Sequence, residues 1–340
     1  MRCGNHCAFV ITSIVDSLIY RFADSHLNTL RDRLHKDVTT ESLAKTMHDT
    51  IAMERLTRSS YVVSIYANCG ISQLIEYGSG GNIHDFVKRA RLRDEKFRTV
   101  SALTKLKIAY QLATAVADTH LMESDGGFNS LAHNDLCCHQ FVLIDGVFKL
   151  NDFHLSVFLL KSLKSGQPCK FRPSYDEDVS RPYFCLILPF VDISPTESQY
   201  VKLRAPEEIS HPNNRFPTFH VDAVDVYMLG NVLYYIHTYH WLFEGLTSNE
   251  AKQNTVLGIT STIPEALLNS TDRAVNSLTR AIRMCWRNDP AKRPSARDIS
   301  MYLKDRLWLE GVSTDAPVKV VMPPLPADHR YTDSDFNDNV

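Results

Sequence analysis

A chain of 340 residues is long enough for one large two-lobed domain or for two small domains. Its content of 44% hydrophobic and 22% charged residues is that of an ordinary globular protein. A formal net charge of −2 gives no reason to expect nucleic acid or an anionic membrane as a partner, and no run of about 18 apolar residues predicts a membrane span.

The eight cysteines are scattered along the chain and form no C-x-x-C pair. Their density is also low for a disulfide scaffold. We therefore expect reduced thiols and an intracellular, cytoplasmic location. The alternative is the secretory route, because residues 7–15 are a short apolar run after Arg2. Asp16 follows this run closely, and no cleavage site of small residues is evident.

The first part of the chain predicts one helix followed by two strands. Residues 40–57 carry apolar side chains at helical spacing, and a capping threonine lies at their start. Residues 61–66 and 72–77 are rich in strand-forming residues. The second run ends at the glycine-rich break 78–81, after which the pattern becomes helical.

The rest of the chain predicts a hairpin among several helices. Residues 103–120 read as a strongly apolar helix of the core type. Residues 141–144 and 147–150 are apolar runs on either side of Asp145-Gly146, and Asp-Gly in this setting is a strong hairpin signal. Further helices are predicted over residues 224–239 and 274–285.

The last segment, residues 311–340, combines several prolines with a polar, acidic end. Its prolines are Pro317, Pro323, Pro324 and Pro326. Such a composition favours a disordered tail over a packed element.

The predicted elements together indicate an α+β chain, because two strands precede the glycine-rich break and most of the helices follow it. The chain would have a small β-rich part and a larger helical part.

Two aspartate-centred motifs lie on either side of the predicted hairpin. The first reads H-N-D-L-C-C-H-Q over residues 133–140, and the second reads D-F-H over residues 152–154. They resemble the H-R-D-L-x-x-x-N and D-F-G motifs of the protein-kinase superfamily. Both aspartates, Asp135 and Asp152, are kept, whereas glutamine replaces the asparagine and histidine replaces the glycine.

Four further segments are similar to kinase motifs and occur in the same order. Residues 76–86, E-Y-G-S-G-G-N-I-H-D-F, resemble the interlobe hinge and the helix that follows it. Residues 205–207 read A-P-E, and 225–230 resemble the buried D-V-W-S-x-G helix. Residues 285–294, C-W-R-N-D-P-A-K-R-P, are similar to the closing motif of tyrosine and tyrosine-kinase-like families.

The resemblance implies a bilobal protein-kinase-like fold of the α+β class. A small β-rich N-lobe would span residues 1–77 and a large helical C-lobe residues 78–310, with the tail at 311–340. The implied activity is ATP-dependent, Mg²⁺-assisted phosphoryl transfer to a Ser, Thr or Tyr hydroxyl of a protein substrate. The alternative is a catalytically impaired pseudokinase that binds a protein partner as a scaffold module.

The resemblance also assigns roles in the cleft. Asp135 would be the catalytic base that accepts the substrate hydroxyl proton. Asp152 would bind Mg²⁺ through hard carboxylate oxygens, with Gln140 as a further ligand through its amide oxygen. The backbone around Glu76 and Gly78 would contact the adenine of ATP.

Three other residues would have structural roles by the same resemblance. Glu207 and Arg293 would form a buried ion pair that joins the activation segment to the large lobe. Asp225 would hold the catalytic loop from below. Asn134 replaces the arginine that binds a phosphorylated activation loop in many kinases, so we expect activity without activation-loop phosphorylation.

The small lobe departs most from the family pattern. Residues 5–69 contain no glycine, so a G-x-G-x-x-G loop cannot exist there in its usual form. Lys36 is the candidate for the strand lysine that contacts ATP, and an alternative alignment puts Asn28 at that position. The acidic residue of the first helix is Asp49, with Glu54 as the alternative.

The run Cys137-Cys138-His139, together with His133, contains the residue types of a zinc site. Adjacent cysteines suit tetrahedral coordination poorly. The register of the run also matches the small-small-basic variant of the catalytic loop in tyrosine kinases. We therefore interpret it as part of the catalytic loop and not as a metal site.

Overall fold

The computed structural model describes residues 40–93, 100–122, 129–159, 202–210 and 221–324. Within these ranges the protein is mixed α+β, with nine α-helices and three small antiparallel sheets of two strands each. No helix in the same ranges has both the length and the apolar character needed to cross a bilayer.

The helices are numbered in chain order. They are α1 Thr40–Leu56, α2 Ile83–Arg93, α3 Ala102–His120, α4 Pro206–Ser210, α5 Val221–Thr238, α6 Ser248–Val256, α7 Glu265–Leu268, α8 Arg273–Cys285 and α9 Ala296–Leu309, with a short 3₁₀ turn at Pro290–Lys292. Those predicted from apolar spacing, α1, α3, α5 and α8, are confirmed within a few residues at each end.

The strands form three antiparallel pairs. They are β1 Ile65–Cys69 with β2 Ser72–Ile75, β3 Leu131–Ala132 with β6 Val157–Phe158, and β4 Phe141–Ile144 with β5 Val147–Leu150. The predicted β4–β5 hairpin is confirmed at both of its strands. Its turn needs positive φ, which Asp145 (50°) and Gly146 (84°) supply.

The predicted strand at residues 61–66 is divided between two partners. Its first half lies along the β4–β5 hairpin, since Val63 N–H donates to the Leu150 carbonyl at 2.9 Å and Leu150 N–H donates to the Tyr61 carbonyl at 2.8 Å. Only its second half enters β1, which begins at Ile65. These hydrogen bonds link the part of the chain around α1 to the hairpin that Asp152 follows.

The main core surrounds α5, in which nearly every side chain is buried. Helices α3 and α8 pack against it, and α3 also contacts α9 and strand β5. This burial on all sides explains why α5 is apolar all round instead of amphipathic. Helix α1 packs on β1 and β2 and buries Ala52, Met53 and Leu56.

The expectation of a disordered tail from residue 311 is wrong for the part that the structure describes. Val320 N–H donates to the Gly146 carbonyl at 2.8 Å, and the Gln111 side-chain amide donates to the Val318 carbonyl at 2.5 Å. Val318 and Val320 are buried. The two valines let this proline-containing segment pack against the hairpin, which composition alone does not reveal. Residues 325–340 lie outside the described residues.

Candidate functional site

The β4–β5 hairpin brings the two motif aspartates together. Asp135 precedes the hairpin, Asp152 follows it, and the Asn151 N–H donates to the Gln140 carbonyl at 2.9 Å across its base. The side-chain Nε2 of Gln140 lies 3.3 Å from Asp135 Oδ2 and 3.5 Å from Asp152 Oδ2. One amide group therefore lies between the two carboxylates.

Asp135 is almost completely buried, with 5% of its surface exposed. The pKa of Asp135 is raised to about 7, chiefly by burial and also by the neighbouring Cys137, although Arg204 and His154 act to lower it. A carboxyl group with a pKa near neutrality is suited to accept and release a proton at physiological pH.

Asp152 has a left-handed backbone, with φ at 66°, and its carboxylate faces His154 as well as Gln140. Burial alone would raise its pKa, but the hydrogen bond and charge of His154 lower the pKa of Asp152 below the ordinary value. His154 Nδ1 is in contact with Asp152 Oδ1, and the same pairing raises the pKa of His154. Both oxygens of Asp152 therefore have partners within the protein.

Asp225 lies below the loop that carries Asp135. It is fully buried on α5 and accepts the backbone N–H groups of His133 and Asn134, each at 2.7 Å. His120 Nε2 on α3 lies 3.0 Å from the same carboxylate. Asn134 has φ at 64°, a conformation that asparagine adopts more readily than most residues. Asp225 thus fixes the turn from which Asp135 projects.

Helix α1 reaches the site through Asp49. The Phe153 N–H donates to Asp49 Oδ1 at 2.6 Å, and burial raises the pKa of Asp49. Phe153 is fully buried, with the His133 ring packed edge-on at 4.9 Å between centroids. Glu54, the alternative left open by the sequence, is exposed. The packing of α1 therefore places Asp49 and not Glu54 beside the cleft.

The segment predicted to contact adenine lies against strand β4. Gly80 N–H donates to the Leu143 carbonyl at 3.1 Å, and Leu143 N–H donates to the Gly81 carbonyl at 2.7 Å. A Cβ atom at Gly78 would lie 3.2 Å from the Val142 Cβ, and one at Gly80 would lie 2.7 Å from Leu143. Glycines here permit the close approach of the two segments.

The side chain of Glu76 forms an ion pair that the sequence analysis missed. Lys149 Nζ on β5 lies 2.7 Å from Glu76 Oε1, and both side chains are mostly buried. Ser64 N–H also donates to the Glu76 carboxylate at 3.2 Å. A single lysine in an otherwise apolar strand was the available signal. The other predicted ATP contact, Lys36, lies outside the described residues.

The pair Glu207–Arg293 is present with two contacts. Arg293 Nη1 lies 2.7 Å from Glu207 Oε1, and Nη2 lies 3.1 Å from Oε2. The Arg293 side chain is fully buried and also donates to the Ala223 carbonyl at 2.6 Å. This contact joins α4, which begins within the A-P-E sequence, to α5 and to the turn before α9.

The oxygen atoms of the cleft form a donor set that suits a hard divalent cation. Asp152 supplies a carboxylate and Gln140 supplies an amide oxygen, which are ligands that Mg²⁺ prefers, and the Asp135 carboxylate lies beside them. In the present arrangement Gln140 presents its nitrogen to both carboxylates. Its amide would have to turn over to present oxygen to a cation between them.

Comparison with known proteins gives no match for this chain, either among protein-family models or among curated proteins.

Proposed function

We propose that this chain is a bilobal protein-kinase-like domain that transfers the γ-phosphoryl group of ATP to a hydroxyl of a protein substrate. The observation that carries the proposal is the convergence of Asp135 and Asp152 on the Gln140 amide. Phosphoryl transfer needs a base near the nucleophile and a carboxylate for Mg²⁺ within one cleft, and little covalent chemistry from the protein.

The arrangement of elements supports two lobes. Helix α1 packs with β1 and β2 as the described part of a small lobe, and α3, α5, α8 and α9 pack together as the core of a large one. The segment 76–81 connects the two groups and lies on β4. Gly78 is accordingly proposed as the hinge, with adenine contacting the backbone at Glu76 and Gly78.

Each cleft residue has a defined task in this proposal. Asp135 accepts the hydroxyl proton, and its pKa of about 7 lets it gain and lose a proton near neutral pH. Asp225 holds the loop in position through the His133 and Asn134 N–H groups. Asp152 and Gln140 provide oxygens for Mg²⁺, which when bound neutralises charge on the β- and γ-phosphates.

A pseudokinase that works as a binding module is the second candidate, and a specific observation favours it. His154 contacts one oxygen of Asp152, and Gln140 contacts the other. A cation must displace at least one of these partners to reach the carboxylate. If neither His154 nor Gln140 is displaced, the domain would keep its fold and its protein-binding surfaces but would not catalyse phosphoryl transfer.

A thermal-shift experiment with ATP and Mg²⁺ is the first test. Ligand at about 100 times its Kd should stabilise the protein by about 2.7 kcal/mol, and chelation of Mg²⁺ should abolish the effect. The absence of any shift would reject ATP-dependent catalysis. A shift would be followed by an assay of radiolabelled phosphoryl transfer to a generic protein substrate and to the chain itself.

Two variants separate catalysis from binding. Asp135→Asn should abolish phosphoryl transfer while the Mg²⁺-ATP shift persists. Asp145→Asn, at the exposed hairpin turn, is the matched control and should keep both signals. A shift in the native protein without phosphoryl transfer would support the pseudokinase. Equal transfer by both variants would remove Asp135 as the base.

A further inference from the structure

A cluster of three metal-ligating side chains lies beside the catalytic loop. His84 comes from the start of α2, and Cys138 and His139 come from the loop between β3 and β4. One ligand atom from each residue lies within 4.8 Å of the others. Cys138 Sγ is 3.6 Å from His139 Nδ1, and the His84 and His139 rings are 5.0 Å apart at their centroids.

Two neighbouring side chains hold the His84 ring in place. The Tyr235 hydroxyl lies 3.1 Å from His84 Nδ1, and the Trp241 ring stacks on the His84 ring at 5.6 Å. Tyr235 and Trp241 stack on each other at 4.3 Å. Metal-bound imidazoles usually have such an oxygen partner at their second nitrogen, because it fixes the ring and its tautomer.

The donor atoms favour a particular class of metal. Two imidazole nitrogens and one cysteine sulfur suit Zn²⁺, whereas Mg²⁺ and Ca²⁺ prefer oxygen. Zinc bond lengths of about 2.0–2.3 Å place tetrahedral ligand atoms roughly 3.3–3.6 Å apart, so the widest separation must close by about 1 Å.

One side of the cluster opens onto a pocket. An apolar pocket lined by Leu136, Cys137, Trp241 and Leu242 adjoins Cys138 and His139. Three protein ligands with a fourth position for water or another ligand is a common zinc arrangement. The adjacent cysteines that argued against a metal in the sequence are not both needed, because His84 completes the set in place of Cys137.

His133, the other residue considered from the sequence, faces a different part of the loop. Its Nε2 lies 3.0 Å from the Asn151 carbonyl. Cys138 supplies the one sulfur ligand of the cluster, because it is buried and its Sγ lies beside the His139 ring. The cluster shares no residue with the proposed Mg²⁺ ligands.

We propose that His84, Cys138 and His139 bind one zinc ion, which ties the start of α2 to the catalytic loop. The Cys138 thiol releases its proton to solvent as the zinc–sulfur bond forms, and both imidazoles bind as neutral ligands. Because Gln140 directly follows His139, the bound ion restrains the loop that places Gln140 between the two carboxylates.

The test uses the full chain, freed of metal with a chelator, and zinc alone as the probe. Competition with a chromophoric zinc chelator measures affinity and stoichiometry. Tyr235→Phe removes a hydrogen-bond partner of the ligand His84 and should lower the zinc affinity by about 10–100-fold. Cys138→Ser removes a ligand itself and should lower the affinity of the same site by more than roughly 100-fold. Cys69→Ser, a cysteine on β1 outside the cluster, is the matched control and should bind zinc as the native chain does.

Two further measurements complete the test. Cobalt in place of zinc should give a thiolate-to-cobalt absorption band that Cys138→Ser loses and Cys69→Ser keeps. Circular dichroism without metal checks that each variant folds. If Cys138→Ser does not fold, His84→Asn, at a half-buried position, replaces it in the affinity measurement. No zinc binding by the folded native chain, or unchanged affinity in the folded Cys138→Ser or His84→Asn variant, would overturn the proposal.

Discussion

Replacement of Glu207 by glutamine tests the contact between α4 and the large helical core. Glu207→Gln keeps the shape of the side chain and removes its charge. The Arg293 side chain is 0% exposed and Glu207 is 10% exposed, so water cannot compensate the guanidinium for the lost carboxylate. The variant should therefore reduce the free energy of unfolding.

The size of the loss follows from the partners that remain. Removing one member of a buried ion pair costs about 3–5 kcal/mol. Arg293 also donates to the carbonyls of Ala223 at 2.6 Å and Arg287 at 3.0 Å, and these contacts survive the substitution. We therefore expect a loss at the lower limit, about 3 kcal/mol.

Urea unfolding followed by circular dichroism measures this loss. With a slope of about 3 kcal/mol/M, the unfolding midpoint should fall by about 1 M urea. The control is Glu310→Gln, because Glu310 is 3.6 Å from an Arg273 side chain that is 65% exposed, and such pairs contribute about 0–1 kcal/mol. Equal, small midpoint shifts in the two variants would refute the argument that burial makes the Glu207–Arg293 pair important.

Three further predictions concern the site and the segment after α9. The folded-state pKa of Asp135, about 7, exceeds the ordinary 3.8, so the native protein loses stability as pH rises between these values. Asp135→Asn should gain stability relative to the native chain over this range in urea unfolding, and a pH-independent difference would contradict this. His154→Gly removes the side chain that contacts one oxygen of Asp152, so Mg²⁺ no longer has to displace it. Because that charged hydrogen bond is partly exposed, Mg²⁺-ATP affinity should rise by about two- to tenfold in thermal-shift titrations; unchanged affinity would show that His154 does not compete with Mg²⁺ for Asp152. Val320→Ala should cost about 1–2 kcal/mol in unfolding free energy, whereas Val321→Ala, 82% exposed, should cost almost nothing; similar losses would mean that the segment does not pack as described.

The part of the site that the sequence could predict depends on short-range pattern. Asp-Gly between two apolar runs predicted the β4–β5 hairpin, and a hairpin necessarily brings the residues before and after it close together. The proximity of Asp135 and Asp152 is a consequence of that turn. The choice between Asp49 and Glu54 was not available from the sequence, because both lie on α1 and only its packing decides which faces Phe153.

Residues far apart in the chain supplied what the sequence analysis missed. Lys149 on β5 pairs with Glu76, which follows β2, and His84 at the start of α2 lies beside Cys138 in the β3–β4 loop. The same holds for Val318 and Val320, whose burial depends on the Gly146 turn and on Gln111. The spacing of neighbouring residues in the sequence does not predict these long-range contacts.

The sequence by itself determined the α+β class, the hairpin and the order of the apolar helices, because periodicity and turn chemistry act over a few neighbouring residues. The tertiary structure decided which charged groups pair, which carboxylate has a pKa near 7, and which ligands gather beside the loop. These properties depend on burial and on distances between distant segments, which are fixed only when the core around α5 packs.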